Sequence, residues 1–134
     1  MKQIEVVAGI IRHNNQILCT QRDKSKNEEV SFKWEFPGGK IEPGETHSQA
    51  LLREIREELN MNINIDSYFM EINYSYATFQ LKMYIYLCSS NNSTLELNVH
   101  KDYKWLTIEE LHSLNWAPAD APIIEKLITS KEIF

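Results

Sequence analysis

Apolar and polar positions change period several times along the chain, and each change marks an expected element. Ile4 to Ile11 is a β-rich apolar run; Asn14-Asn15 then offers a turn, and Ile17 to Gln21 reads as the second strand of a hairpin. Asp23 to Glu29 is polar and charged, a loop able to sit over a ligand. Phe32, Trp34 and Phe36 alternate with polar residues, which predicts a short strand with one aromatic face, stopped by Pro37-Gly38-Gly39. From Thr46 to Leu59 the pattern turns helical: Leu51, Leu52, Ile55 and Leu59 recur on one face, and Glu42 and Glu45 stand near the start, where the helix dipole favours acid.

After Asn60 to Asn64, the segments Ser67 to Ile72 and Tyr74 to Leu87 read as long strands that should pair antiparallel. The second alternates Phe79, Leu81, Met83, Ile85 and Leu87. Ser89 to Ser93 is a loop by composition, and Val99 to Trp105 is a further strand. Thr107 and Glu110 have the spacing of a capping box ahead of a short helix from Ile108 to about His112. Pro118, Asp120 and Pro122 precede an apolar helical pattern at Ile123, Ile124, Leu127 and Ile128, so a C-terminal helix is expected with Asp120 or a neighbour at its cap.

The chain has 134 residues, 43% of them hydrophobic, enough for one compact core, and no internal repeat or linker divides it. A single domain over residues 1–134 is expected. No stretch approaches the roughly 20 apolar residues of a membrane span, and Met1-Lys2-Gln3 runs straight into a strand-like segment, so a cytoplasmic protein is expected. Cys19 and Cys88 sit in apolar runs, where buried free thiols are the ordinary reading. A net charge of −5 provides no basic footprint for a nucleic-acid polymer. An acidic protein can still hold a polyphosphate if a divalent cation stands between its carboxylates and the phosphate oxygens.

The candidate chemistry lies in Gly39 to Met61, where a glycine-rich loop leads into a helix bearing Arg53, Glu54, Glu57 and Glu58. At about 100° per residue, Glu54, Glu57 and Glu58 share one arc, and Leu51, Leu52, Ile55 and Leu59 fill the adjacent one. Carboxylates so crowded repel one another unless a cation joins them, and Mg²⁺ completes its shell with water and substrate phosphates. Arg53, four residues before Glu57, can pair with that carboxylate and is read as an orienter. The Gly38-Gly39-Lys40 loop lets a backbone carbonyl approach a metal and Lys40 reach a phosphate.

Gly39, five residues, Glu45, seven residues, Arg53-Glu54, Ile55, one residue, and Glu57-Glu58 match the Nudix box. Trp34 to Lys40, Ala117 to Pro122 and the opening Ile4 to Ile11 resemble the MutT-like members, so the likeness spans nearly the whole chain. The resemblance implies an α/β fold, an α/β/α sandwich around a mixed β-sheet. It also implies an Mg²⁺-dependent hydrolase, Mn²⁺ being an alternative ion, that cleaves a nucleoside triphosphate to a monophosphate and pyrophosphate. The substrates implied are 8-oxo-dGTP, or CTP and modified pyrimidine triphosphates. By the same likeness Glu54, Glu57 and Glu58 bind the metal with the Gly38 carbonyl, and Glu54 is the first choice for general base. The partner implied is a small-molecule nucleotide, with no membrane and no nucleic-acid polymer, and the chain works as a monomer or homodimer.

The chain departs from the pattern in two places. Asn60 stands where the box usually has glycine, and asparagine tolerates the left-handed conformation of a helix end. Many MutT-like enzymes carry a further catalytic Glu shortly before the tryptophan matching Trp105, whereas Val99-His100-Lys101-Asp102 stands here. Asp102 replaces that carboxylate only if the loop shifts, and His100 could support the ligands from behind; two polar strand residues is the plainer reading. Asp120 matches the position at which relatives read the base edge, its alternative being an N-cap. An ionised Asp only accepts, which suits the N4 amino group of cytosine or the N1 and N2 hydrogens of guanine. Trp34 and Phe36 should share one side, where stacking on a base competes with core packing. Arg22 touches base or phosphate, or forms an exposed salt bridge. Competing functions are a catalytically silent ligand sensor and a hydrolase of ADP-ribose or a dinucleoside polyphosphate.

Overall fold

The structure is a computed structural model that describes residues 2–130. In chain order its elements are β1 (Lys2–His13), β2 (Gln16–Gln21), β3 (Trp34–Glu35), β4 (Gly38–Lys40), α1 (His47–Leu59), β5 (Asn64–Ser75), β6 (Phe79–Ser89), β7 (Asp102–Leu106) and α2 (Ala121–Thr129), with 3₁₀ turns at Ile108–Ser113 and Pro118–Asp120. Strand β1 organises the sheet. One edge pairs in parallel with β6, from Lys2↔Phe79 to Arg12↔Ser89. The other edge is shared: Val6, Val7 and Ala8 pair antiparallel with β4, and Arg12 and His13 with β2. β2 also pairs with β3 and β7, and β5 with β6, all antiparallel. Among the described residues no helix is long and apolar enough to cross a membrane.

Because successive strand residues face opposite ways, β1 and β2 feed two cores. Val7, Ile11 and Leu18 pack with Ala50, Leu51, Ile55 and Leu59 of α1 on one face. Ala8, Ile10, Ile17 and Cys19 pack with Ile123, Ile124 and Leu127 of α2 on the other. Helices on both faces of a mixed sheet make the expected α/β/α sandwich. Cys19 and Cys88 are both buried and free, and burial pushes both thiols up, Cys88 to about 12.

Helix α1 starts at a capping box: Thr46 Oγ1 accepts from Gln49 N at 3.1 Å, and Gln49 Oε1 accepts from Thr46 N at 2.9 Å. It ends at Asn60, whose φ of 51° is the left-handed conformation expected of it, with its N–H on the Arg56 carbonyl at 3.0 Å. No acid occupies the first turn, because Glu42 and Glu45 precede the cap. Leu52 is 38% exposed and does not join the packed face.

Several boundaries differ from the sequence expectation. The β5–β6 hairpin turns at Tyr76 to Thr78, not before Tyr74, because buried Tyr76 closes the turn by bonding its N–H to the Phe79 carbonyl. Gly38 and Gly39 do not stop a strand; they form β4, since a glycine can lie flat against β1. The aromatic strand is short, and Phe32 stands outside it, exposed, at a φ of 61°. Val99 and His100 precede β7, which begins at Asp102. Thr107 and Glu110 do pair, through Thr107 N and Oγ1 at 2.9 and 3.0 Å from Glu110 Oε1, but the segment they start is a 3₁₀ turn. Asp120 stands at the N-cap position of α2 as expected, but its backbone is helical and its side chain makes no cap bond, being engaged by the Phe36 N–H.

Ile55 is fully buried between α1 and β1. Ile55→Ala should destabilise the fold by about 2–5 kcal/mol, read as a lower urea midpoint at unchanged m-value.

Candidate active site

The site begins with one guanidinium. Arg53 Nε and Nη2 bind the two oxygens of Glu45 at 2.7 and 2.8 Å, a fork-to-fork pair that fixes the plane of both groups. Nη1 reaches Glu54 Oε1 at 2.9 Å and Glu57 Oε1 at 3.1 Å, and Nη2 also donates to the Lys40 carbonyl at 3.1 Å. Arg53 therefore ties the loop before α1, strand β4 and two helical acids into one unit. The Glu45 carboxyl is lowered to about 2, chiefly by its bond to Arg53. Glu42 lies at 3.8 Å, so one cation faces four carboxylates and the assembly keeps excess negative charge.

Two of these carboxylates, Glu42 and Glu54, line a cavity of about 800 Å³ whose walls also include Arg22, Glu35, Phe36, Gly38, Gly39, Lys40, Glu58, His100 and Asp120. A side chain on Gly39 would fall on the Glu54 carboxylate, and one on Gly38 would fall on the Val7 carbonyl, so only glycine lets β4 lie between β1 and α1. Glu58 is pushed up to about 7, first by burial and then by the Glu54 and Glu35 charges, with His100 working against them. Glu57 is more exposed, its carboxylate held by Arg53, and it does not line the cavity.

The cavity also has apolar lining, Val6, Ala8, Phe36, Leu81 and Met83, and Asp120 borders it. Asp120 Oδ2 accepts from the Phe36 N–H at 3.0 Å. Burial pushes its carboxyl well above the usual range, the Glu35 charge adds to this, and Phe36 N–H and Arg22 oppose it. The ionised acceptor expected from the sequence is thus disfavoured, and a protonated acid, which can donate as well as accept, is favoured. Phe36 packs in the core and stacks on Trp116 at 4.8 Å between centroids. Trp34 is buried too. Arg22 forms the salt bridge that was one of its alternatives, to Glu35 at 3.2 Å, while also lining the cavity.

The structure brings Glu54, Glu58, Gly38, Lys40, Arg22, Phe36 and Asp120 to one cavity; Arg53 and Glu57 do not line it, and Arg53 is joined to it through its bond to Glu54. It adds Glu35, and it places His100, named from the sequence as a possible support behind the ligands, against Glu35 at 3.2 Å across 65 residues of chain. Only the alternation of Trp34 and Phe36 around Glu35 hinted at that acid.

A match to the NUDIX domain spans residues 2–127. The chain belongs to the Nudix family. It is 35% identical to the CTP pyrophosphohydrolase of Escherichia coli over 93% of this chain and 91% of that protein. It is 32% identical to the 8-oxo-dGTP diphosphatase of the same organism over 95% of this chain and 98% of that protein. The solution structure of the MutT mismatch-repair protein of methicillin-resistant Staphylococcus aureus superposes with a TM-score of 0.76 at 42% identity, covering 96% of this chain and 98% of that one.

Nudix hydrolases generally depend on a divalent cation. Among the described residues no three His, Cys, Asp or Glu side chains are already gathered as a finished cation site. The donor set nevertheless fits a hard ion: Glu54 and Glu58 present half-buried carboxyl oxygens, Arg53 offsets only part of the carboxylate charge around it, and β4 brings backbone close where a Cβ has no room.

Glu58 yields a test of this electrostatic arrangement. Its carboxyl rises from the ordinary 4.5 to about 7. Between those values the folded protein binds more protons than the unfolded chain, so metal-free stability should fall as pH rises through that window and level off above it. In chelator, Glu58→Gln should raise the urea midpoint at pH 8 and leave it nearly unchanged at pH 4; an equal gain at both pH values would contradict the assignment.

Proposed function

We propose that this Nudix hydrolase cleaves a nucleoside triphosphate to a monophosphate and pyrophosphate in the cytoplasm, with Mg²⁺ as its ion and a cytosine-type base preferred. One observation carries the reading: a single cavity is lined both by apolar side chains with a buried acid, Asp120, and by the carboxylates Glu54 and Glu58, the two kinds of lining that a base and its phosphates need. The E. coli relatives named for CTP and for 8-oxo-dGTP support a nucleotide substrate.

The base preference follows from Asp120. In its protonated form one oxygen donates and the other accepts, which complements N3 and the N4 amino group of cytosine. A carboxylate would suit the paired N1 and N2 hydrogens of guanine, and burial works against that form.

Glu54, Glu58 and the Gly38 carbonyl would hold Mg²⁺, with Glu57 a further carboxylate on the same helix. When bound, the ion supplies Lewis-acid polarisation of the phosphate and a more acidic water. Arg53 donates to Glu54 Oε1 and fixes its rotamer, so that this carboxylate can take the proton of the attacking water. Lys40 meets phosphate charge, and Arg22 lines the cavity for contact with the nucleotide. A silent sensor is the second reading, favoured by Val99, an apolar, 55% exposed side chain where MutT-like enzymes place a carboxylate.

Pyrophosphate release should be measured with Mg²⁺ and with chelator on CTP, dCTP, 5-methyl-dCTP, dGTP, 8-oxo-dGTP and ADP-ribose. Cytosine triphosphates should turn over fastest, chelator should abolish release, and Glu54→Gln should lower kcat by at least about 10²-fold. Binding without turnover of any compound would establish the sensor instead.

A further inference from the structure

Glu35 occupies a place in the cavity that neither the base nor the phosphates account for. Its backbone is pinned by β3 pairing to Thr20 and by Thr20 Oγ1 donating to its carbonyl at 3.0 Å. Its carboxylate is held from two sides: Arg22 Nη1 donates to Oε1 at 3.2 Å, and His100 Nε2 approaches Oε2 at 3.2 Å. The His100 side chain is 4% exposed, and its Nδ1 has no partner among the described residues. The proton therefore belongs on Nε2, since a buried Nδ1–H would be an unpaired donor. Burying an imidazole whose one resolved polar contact is Glu35 costs desolvation, and the return is a fixed carboxylate.

Glu35 stands between two acids of the cavity: its neighbour Phe36 donates to Asp120, and its partner His100 follows two residues after Asn98, whose N–H bonds the Glu58 carbonyl. Each carboxylate oxygen accepts two hydrogen bonds, so each keeps one acceptor site after Arg22 and His100 are counted. Like charge makes Glu35 a poor neighbour for phosphate. A neutral hydroxyl donor suits it, and in a nucleotide the hydroxyls lie between base and phosphates.

We propose that Glu35 binds the sugar of the nucleotide by accepting a hydrogen bond from a ribose hydroxyl, and that His100 is a positioning residue that holds Glu35 for this contact. The proposal rests on the nucleotide reading of the cavity. It assigns sugar recognition to β3 and to the loop before β7, separate from the carboxylates of α1.

The test compares KM for CTP, dCTP and 2′,3′-dideoxy-CTP, with the guanine series run in parallel. In the wild-type protein, deleting the hydroxyl that Glu35 accepts should raise KM about tenfold, the effect of leaving a buried acceptor unmet. The step at which the rise occurs, CTP to dCTP or dCTP to dideoxy-CTP, tells the 2′ from the 3′ hydroxyl, and either supports the proposal. Glu35→Ala should shrink that ratio to about twofold or less. If that variant fails to fold, Glu35→Gln, whose amide is a weaker acceptor, should still reduce the ratio. His100→Ala should reduce it in part, and His100→Gln, which keeps an N–H donor, should restore it. Equal KM values across the wild-type series, or variants that raise all three by one factor, overturn the sugar assignment while the hydrolase reading stands. Absence of turnover on both series overturns the two together.

Discussion

The site depends on the bonds of Arg53. Glu42 and Glu45 in the loop before α1, and Glu54 and Glu57 within it, would repel one another if they stood alone. A lysine could neutralise one of them, but its point charge cannot hold Glu45 through two parallel bonds while a third nitrogen edge meets Glu54 and Glu57. The same guanidinium binds the Lys40 carbonyl, so the electrostatic centre of the helix is also the clamp on β4. Position and charge are thereby solved by one side chain, and the glycines of β4 matter because they let that strand come within reach.

Arg53 neutralises only part of the acid it gathers, and the remainder defines the chemistry. Excess carboxylate on the α1 side and a buried acid at Asp120 are opposite answers to one constraint, the cost of keeping negative charge away from water. Beside Arg53, with solvent near, the acids remain available to a cation. At Asp120 a backbone N–H and the Arg22 charge oppose the effect, and burial still raises the carboxyl, working toward the protonated form that can both donate and accept. On the proposed function, one cavity would combine a charged recognition problem with a more neutral one.

The two kinds of information in this site differed in how visible they were in the sequence. The α1 acids, Arg53, the helix limits and the left-handed Asn60 depend on spacing within one helix and its entry loop, and spacing is what a sequence displays. Cys19 and Cys88 were legible for a similar reason, since apolar runs announce their burial. Glu35 and His100 come together only because β2 pairs with both β3 and β7, a contact across 65 residues with no local period. The hairpin at Tyr76 was misplaced because Tyr74 and Tyr76 continue the alternation through the turn, and burial of Tyr76 beside Phe79 overrides it. The protonation preference of Asp120 was beyond reach, since residue identity does not state the depth at which a carboxyl lies.

The replacement at Val99 is best understood together with His100. A carboxylate at position 99 would have faced a cavity that already contains Glu35, Glu54 and Glu58, adding to the repulsion that lifts Glu58. The loop instead presents an apolar side chain to solvent and turns its neighbour inward, where an imidazole donor meets Glu35. The segment thereby contributes a hydrogen-bond donor in place of negative charge. A loop that in many MutT-like enzymes carries an acid supports Glu35 in this chain, and on the proposed function this restraint of charge would leave Glu54 and Glu58 as the principal acids for the phosphates.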